Sequence, residues 1–339
     1  MAIAASTVPC TLVDVHQSDG RGCHHQDRSA TASGEMFATV DLPGRSGVRV
    51  GIDRTGQAAV FFETGASSGT RRSFSLASVR YEPDVGCKFD GGAVERRCAV
   101  LRCTTPEDDV RALFLRVAES WIPTVPPGNV GLEIDAAAAQ LIELFNSLRT
   151  PGRGTVLGLW GELFLLAASD NPRDLLRTWH ADPFELHDFV STNVRLEVKT
   201  AVDLRQHEFS LDQLLPPVGS HLYVCSIVTR SSLTGMSIQD LQEWLLSRLN
   251  DVSLAFRVQQ IVAATLGERW SEVAKQRYSQ QLALESIRFL DGASIPKVNL
   301  SLPPEVSRVR FSVELDDVPT VRTVPFPGLG STSNLMSRE

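Results

Sequence analysis

His187-Asp188-Phe189-Val190-Ser191-Thr192-Asn193-Val194-Arg195-Leu196-Glu197-Val198-Lys199-Thr200 is the stretch on which the reading of this chain turns. Asp188-Phe189-Val190 and Val194 to Val202 are strand-like. Ser191-Thr192-Asn193 between them has the composition of a turn, so the stretch predicts a hairpin. Side chains on a strand alternate with a period of two. Glu197 and Lys199 therefore share one face. Leu196 and Val198 share the other, which is apolar and must pack on a helix. The turn brings Asp188 alongside the Glu197 and Lys199 pair.

Two carboxylates and a lysine at one sheet edge suit phosphodiester chemistry. The carboxylates hold Mg²⁺ (or Mn²⁺), a hard cation that prefers oxygen ligands. The metal polarises a phosphoryl oxygen and helps to generate hydroxide. A neighbouring lysine orients the attacking water and stabilises developing negative charge. The backbone carbonyl of Val198 is a further candidate metal ligand. Taken alone, Glu197-Val198-Lys199 is a weak signal, because a solvated strand face also yields such short patterns.

Working back along the chain, Glu162 adds weight. It sits in Val156-Leu157-Gly158-Leu159-Trp160-Gly161-Glu162-Leu163-Phe164-Leu165-Leu166. Its helix neighbours three and four residues away are Gly158, Leu159, Leu165 and Leu166. A carboxylate in so apolar a helix needs a cation or a hydrogen bond. A metal, Lys199 or an arginine would serve. Gly158 and Gly161 remove bulk beside it and permit close approach. Working forward, Ser210-x-x-Gln213 supports two readings. Gln213 either lies at the metal site or closes a capping box with Ser210. His207 follows the lysine strand and ranks low as a site residue.

The run Gly158-Leu159-Trp160-Gly161-Glu162-Leu163, then His187-Asp188-Phe189, then Leu196-Glu197-Val198-Lys199-Thr200, then His207-x-Phe209-Ser210-x-x-Gln213-Leu214 resembles a bacterial PD-(D/E)XK family of formerly unknown function. That family is similar to restriction endonucleases and occurs near phage-defence and restriction-modification genes. The order of acids also resembles Holliday-junction resolvases. The resemblance is strong over about residues 155–215. It implies an α/β (α+β), restriction endonuclease-like core with a mixed sheet flanked by helices. It implies that Asp188 and Glu197 are metal ligands, that Lys199 is the catalytic lysine and that Glu162 is an auxiliary ligand. Catalytic roles would then fall to Asp188, Glu197, Lys199, Glu162 and Gln213. His187 stands where the family's namesake proline would precede the aspartate.

Composition sets bounds on this reading. The chain has 339 residues, 42% of them hydrophobic and 22% charged, a globular balance with enough apolar material for a core. No run approaches the ~18 apolar residues that span a bilayer, and the start has no signal-peptide pattern. Net charge is −7, which counts against a tight unaided DNA binder. Residues 122–230 hold 8 basic and 13 acidic side chains, a local excess that a cation site or a solvated acidic surface would produce. Only four lysines occur, Lys88, Lys199, Lys275 and Lys297. Cys10, Cys23, Cys87, Cys98, Cys103 and Cys225 form no CxxC pair and suggest no disulfide framework, so the expected compartment is the cytoplasm. Cys23-His24-His25 with His16 and Cys10 lacks a second zinc-type pair. There is no phosphate-cradling Gly-x-x-x-x-Gly-Lys loop and no Gly-x-Ser-x-Gly elbow.

The expected organisation has four parts. Residues 1–122 form an N-terminal β-rich module, irregular over 1–35, a meander or small sandwich of antiparallel strands from about Phe37 to Cys103 (Val48, Val50 and Ile52 alternate), and ending in a helix with Pro106 at its first position. Residues 128–252 form the core, in which Ser237-x-x-Asp240 caps a helix over Ser237 to Asn250. Residues 253–325 form a C-terminal extension with a helix near Trp270 to Leu284, and 326–339 a disordered tail. The functional expectation is metal-dependent DNA cleavage within a defence system. The rival is a non-catalytic DNA-binding or assembly subunit of the same fold. DNA and other defence proteins are the expected partners, a membrane is not, and a homo-oligomer stays open.

Overall fold

The alternation that begins at Val48 and Val50 is realised as strands in the computed structural model. It describes residues 35–42, 46–53, 55–64, 73–76, 78–89, 94–122, 132–147, 155–179, 185–267, 269–298, 303 and 309–331. The irregular start, the Cys10, His16 and Cys23 to His25 group and the linker after residue 122 lie outside these. The chain divides into two compact units, residues 1–150 and 151–339.

In the first unit, strands β1 (Glu35–Asp41), β2 (Val48–Asp53), β3 (Ala58–Glu63), β6 (Glu95–Cys103) and β5 (Val79–Phe89) are successive antiparallel neighbours. A parallel pairing of β1 with the end of β5 closes the ring, and β4 (Phe74–Leu76) adds to the start of β5. The closing pairing covers Glu35 to Phe37 of β1, and β4 remains the outer strand of this sheet. Phe37, Phe61, Phe89 and Val100 fill it, with Phe61 edge-on to both other rings. Helices α1 (Asp108–Trp121) and α2 (Leu132–Ser147) follow. Pro106 precedes α1 instead of opening it, and Glu107 is the N-cap. The sequence boundary at 122 falls inside this unit, because α2 clusters with the barrel: Asp135 accepts a hydrogen bond from Tyr81 at 2.5 Å.

The second unit holds the predicted core. Helix α3 (Val156–Ala168) is capped by Thr155, whose hydroxyl accepts the Gly158 N–H, and α4 (Pro172–Thr178) by Asn171. The hairpin is present: β7 (Phe189–Val190) pairs antiparallel with β8 (Val194–Val202). The order across the main sheet is β13-β10-β8-β7, with β10 (His221–Thr229) parallel to β8 and β13 (Arg288–Asp291) antiparallel to β10. Strand β9 (Gln206–Ser210) leaves this sheet and pairs with β14 (Arg310–Glu314). A short 3₁₀ turn at Asp212–Leu214 follows β9. Strand β11 (Ser231–Ser237), helix α5 (Ile238–Arg248) and helix α6 (Val252–Leu266) come next. Ser237 and Asp240 close the capping box anticipated for α5.

One sheet is mixed and helices pack on it, so the fold is α+β and restriction endonuclease-like. The helix expected over Trp270 to Leu284 is interrupted. It becomes α7 (Trp270–Val273), β12 (Arg277–Tyr278) and α8 (Gln280–Ser286). Residues 253 onward are no appendage: β13 completes the sheet, and Leu290, Ile295, Val313, Leu315 and Val318 share a core with Phe209, Leu222 and Val224. Apolar side chains bury wherever sheet surface is open, which sequence distance does not limit. Strands β15 (Thr323–Phe326) and β16 (Leu329–Ser331) form a hairpin reaching into the expected tail, whose residues 332–339 lie outside the described residues. Among the described residues, no helix is long and apolar enough to cross a membrane.

Candidate metal centre

Strand β8 is the backbone of the site. Its register with β7 pairs Phe189 with Leu196, and its register with β10 pairs Val224 with Glu197 and Ser226 with Lys199. Central position leaves Glu197 only 3% exposed and Val198 5% exposed. The two faces behave as alternation requires. Thr200, on the Leu196 and Val198 side, meets α3, where a Cβ on Gly161 would stand 1.8 Å from the Thr200 Oγ1. Gly161 is thus the close approach foreseen beside Glu162. At Gly158 a Cβ would meet only the capping Thr155 hydroxyl. On the opposite side, Lys199 lies over the Phe209 ring with its Nζ 5.1 Å from the centroid.

Asp188 sits one residue before β7, and its Oδ2 accepts the backbone N–H of Val198 at 2.7 Å. Lys199 Nζ lies 2.9 Å from Glu197 Oε1. Gln213 joins them. Its Nε2 donates to Glu197 Oε1 at 2.6 Å, and its Oε1 accepts from Lys199 Nζ at 3.2 Å. The same Oε1 takes the Ser210 N–H at 3.0 Å while the Ser210 hydroxyl accepts the Gln213 N–H. The capping reading of Gln213 holds, and the same turn delivers its side-chain amide to Glu197 and Lys199. His187 is buried and its Nε2 contacts the Gln213 carbonyl oxygen at 2.9 Å, tying the two loops together.

Glu162 arrives from α3. Its Oε2 accepts from the Trp179 indole at 2.7 Å. Burial pushes its carboxyl up to about 7, and the nearby Glu197 adds to this. The Trp179 bond and Lys199 work against it. Asp188 is also raised well above the usual carboxylate range, first by burial, then by Glu197 and Glu162. Glu162 and Asp188 thus both feel Glu197 and Lys199, the acid raising and the lysine lowering each of them. His207 is not among them. It is buried on β9, its Nε2 2.7 Å from the Ser226 hydroxyl of β10, and burial with Arg205 and Lys199 nearby lowers it to about 4. The sequence reading did not single out Trp179. A tryptophan in a run such as Leu176-Arg177-Thr178-Trp179 carries no signal beyond core packing.

The donor set fits a hard cation. Glu162, Asp188 and Glu197 each commit one oxygen to a protein donor. Glu197 Oε2 is fully buried with no hydrogen-bond partner among the described residues. An orphaned carboxylate oxygen is costly unless something binds it. Among the described residues, no three His, Cys, Asp or Glu side chains form a ready cage by themselves. The fit therefore rests on this orphan oxygen and on all-oxygen donor chemistry.

A helix acid, a hairpin aspartate and a Glu-x-Lys strand paired parallel to its neighbour define the restriction endonuclease-like class. The chain belongs to the family described as "Putative PD-(D/E)XK family member, (DUF4420)", whose model matches residues 35–316. No curated protein and no solved structure matches the chain.

Proposed function

We propose that this protein is a divalent-metal-dependent nuclease that hydrolyses DNA phosphodiester bonds, as a component of a bacterial restriction or anti-phage system. Family membership supports a nuclease-like fold. The observation that carries the catalytic reading is the pairing of Lys199 with a Glu197 whose second oxygen is buried and without a hydrogen-bond partner among the described residues. A buried acid kept only for stability would be expected to satisfy both oxygens.

In this reading Asp188, Glu197 and the Val198 carbonyl hold Mg²⁺ or Mn²⁺, with Glu162 as a further ligand. The bound metal would supply Lewis acidity to the phosphoryl oxygen and acidify a water. Lys199 holds a proton at Nζ and places it beside the developing charge. Gln213 keeps Lys199 and Glu197 in register. The Phe209 ring beneath Lys199 limits water on that side.

The test is supercoiled plasmid and linear DNA with the purified protein in Mg²⁺, Mn²⁺ or EDTA, alongside Lys199→Met. Metal-dependent cutting by the parent, lost in a folded mutant, is the expected result. A Lys199→Met chain that fails to fold would assign the lysine to core pairing instead. Folded protein that never cuts but shifts DNA in a gel would favour the non-catalytic subunit, which the net charge of −7 also suits when partners supply DNA affinity.

A further inference from the structure

Trp179 contacts two parts of the acidic cluster's frame, Glu162 and the strand beside Asp188. Its indole N–H donates to Glu162 Oε2 at 2.7 Å. Its backbone forms an isolated antiparallel bridge with Phe189, the residue after Asp188, and its ring stacks on the Phe189 ring at 6.3 Å and 18°. Its carbonyl accepts a hydrogen bond from Arg257 on α6. The side chain is 1% exposed, so it has little freedom to turn. One residue therefore grips the helix that carries Glu162 and the strand that begins immediately after Asp188.

Arg257 strengthens the case. It is half-buried, and burial alone lowers its affinity for a proton. Its Nε has no hydrogen-bond partner, and no carboxylate pairs with it among the described residues. A half-buried guanidinium without a counter-ion costs stability. Here its hydrogen bond goes to the carbonyl of Trp179.

We propose that Trp179 is a positioning residue that sets the Glu162 carboxylate against Asp188 and Glu197 for divalent-cation binding, with Arg257 holding Trp179 in place. This rests on the nuclease reading of the same site. Groups that orient metal ligands are often worth 10–100-fold in metal affinity. Phenylalanine at 179 keeps an aromatic ring over Phe189 and removes only the indole N–H donor.

The experiment is Mn²⁺ titration of the full chain without DNA, followed by the loss of the free-ion electron paramagnetic resonance signal. Parent, Trp179→Phe, Glu162→Gln and the double variant are compared, with a thermal melt of each. Trp179→Phe should weaken Mn²⁺ binding about tenfold or more, while adding it to Glu162→Gln should change little further. Arg257→Gln should weaken binding in the same direction, and it serves as the probe should Trp179→Phe not fold. Equal Mn²⁺ affinity in parent and folded Trp179→Phe overturns the proposal, as does an undiminished loss in the Glu162→Gln background. A parent that binds no Mn²⁺ overturns the metal reading itself and this proposal with it.

Discussion

Gln213 reaches across to Glu197 and donates to its Oε1 at 2.6 Å, while its own Oε1 accepts both the Ser210 N–H and Lys199 Nζ. Two donors on one oxygen fix which end of the amide faces the acid. Glu197 Oε1 therefore carries both the Lys199 contact and the Gln213 bond, and Oε2 is the oxygen left over.

Replacing Gln213 should thus harm two things at once. Gln213→Ala removes the cap partner of Ser210 and leaves Glu197 with one donor fewer. Loss of a cap and of a hydrogen bond to a charged group predicts about 1–3 kcal/mol less stability. Denaturant unfolding would measure this. Plasmid cleavage under the same conditions should fall by more than the loss of folded protein explains. Wild-type cleavage by folded Gln213→Ala would reduce the residue to a cap.

The hairpin and the Glu-x-Lys strand were legible because strand alternation fixes faces without tertiary information. Glu162 was legible as an acid that its helix could not tolerate alone. Its partner was not: the sequence offered a metal, Lys199 or an arginine, and the structure supplies the Trp179 indole. Indole N–H groups bond wherever packing puts them, so no spacing rule points to one. The N-terminal module was legible as a meander or small sandwich of antiparallel strands but not as a ring, because the parallel β1 to β5 pairing joins segments about fifty residues apart. Helix α6 and the contribution of β13 were missed for a related reason. Their buried residues, such as Phe256, Val262 and Leu290, answer to surfaces made by earlier parts of the chain.

His207 provides a pH signature separate from the metal site. Burial, then Arg205 and Lys199, hold it at about 4, with Asp316 acting in the opposite direction. The ordinary value is 6.5, so the unfolded chain takes up a proton between 6.5 and about 4 while the folded chain does not. The unfolded state binds more protons there, so this contribution is present above 6.5 and is lost as pH falls through the window. Glu162 and Asp188 act with the opposite sign, since their raised values favour the folded state at low pH. The difference between parent and His207→Gln isolates the histidine. Urea unfolding from pH 7 to pH 4 should show the parent losing stability relative to the variant, by on the order of 2–3 kcal/mol. Parallel curves would mean that His207 ionises as freely in the folded chain as in the unfolded one.

Gly161 makes the sharpest packing prediction. A Cβ there would stand 1.8 Å from Thr200 Oγ1 and 3.0 Å from its Cβ, so Gly161→Ala must push α3 away from β8. Overpacking of this kind costs about 1–3 kcal/mol, despite the better helix propensity of alanine. Thr200 Oγ1 is itself buried without a hydrogen-bond partner among the described residues, so Thr200→Ala removes the colliding atom and breaks no hydrogen bond. The double variant should therefore recover most of what Gly161→Ala loses, a coupling that denaturant unfolding of the four proteins would measure. Because Glu162 follows Gly161 on the same helix, Gly161→Ala should also weaken Mn²⁺ binding, and Thr200→Ala should restore it. Additive losses in the double variant would show that the helix and strand are not in direct register at this point.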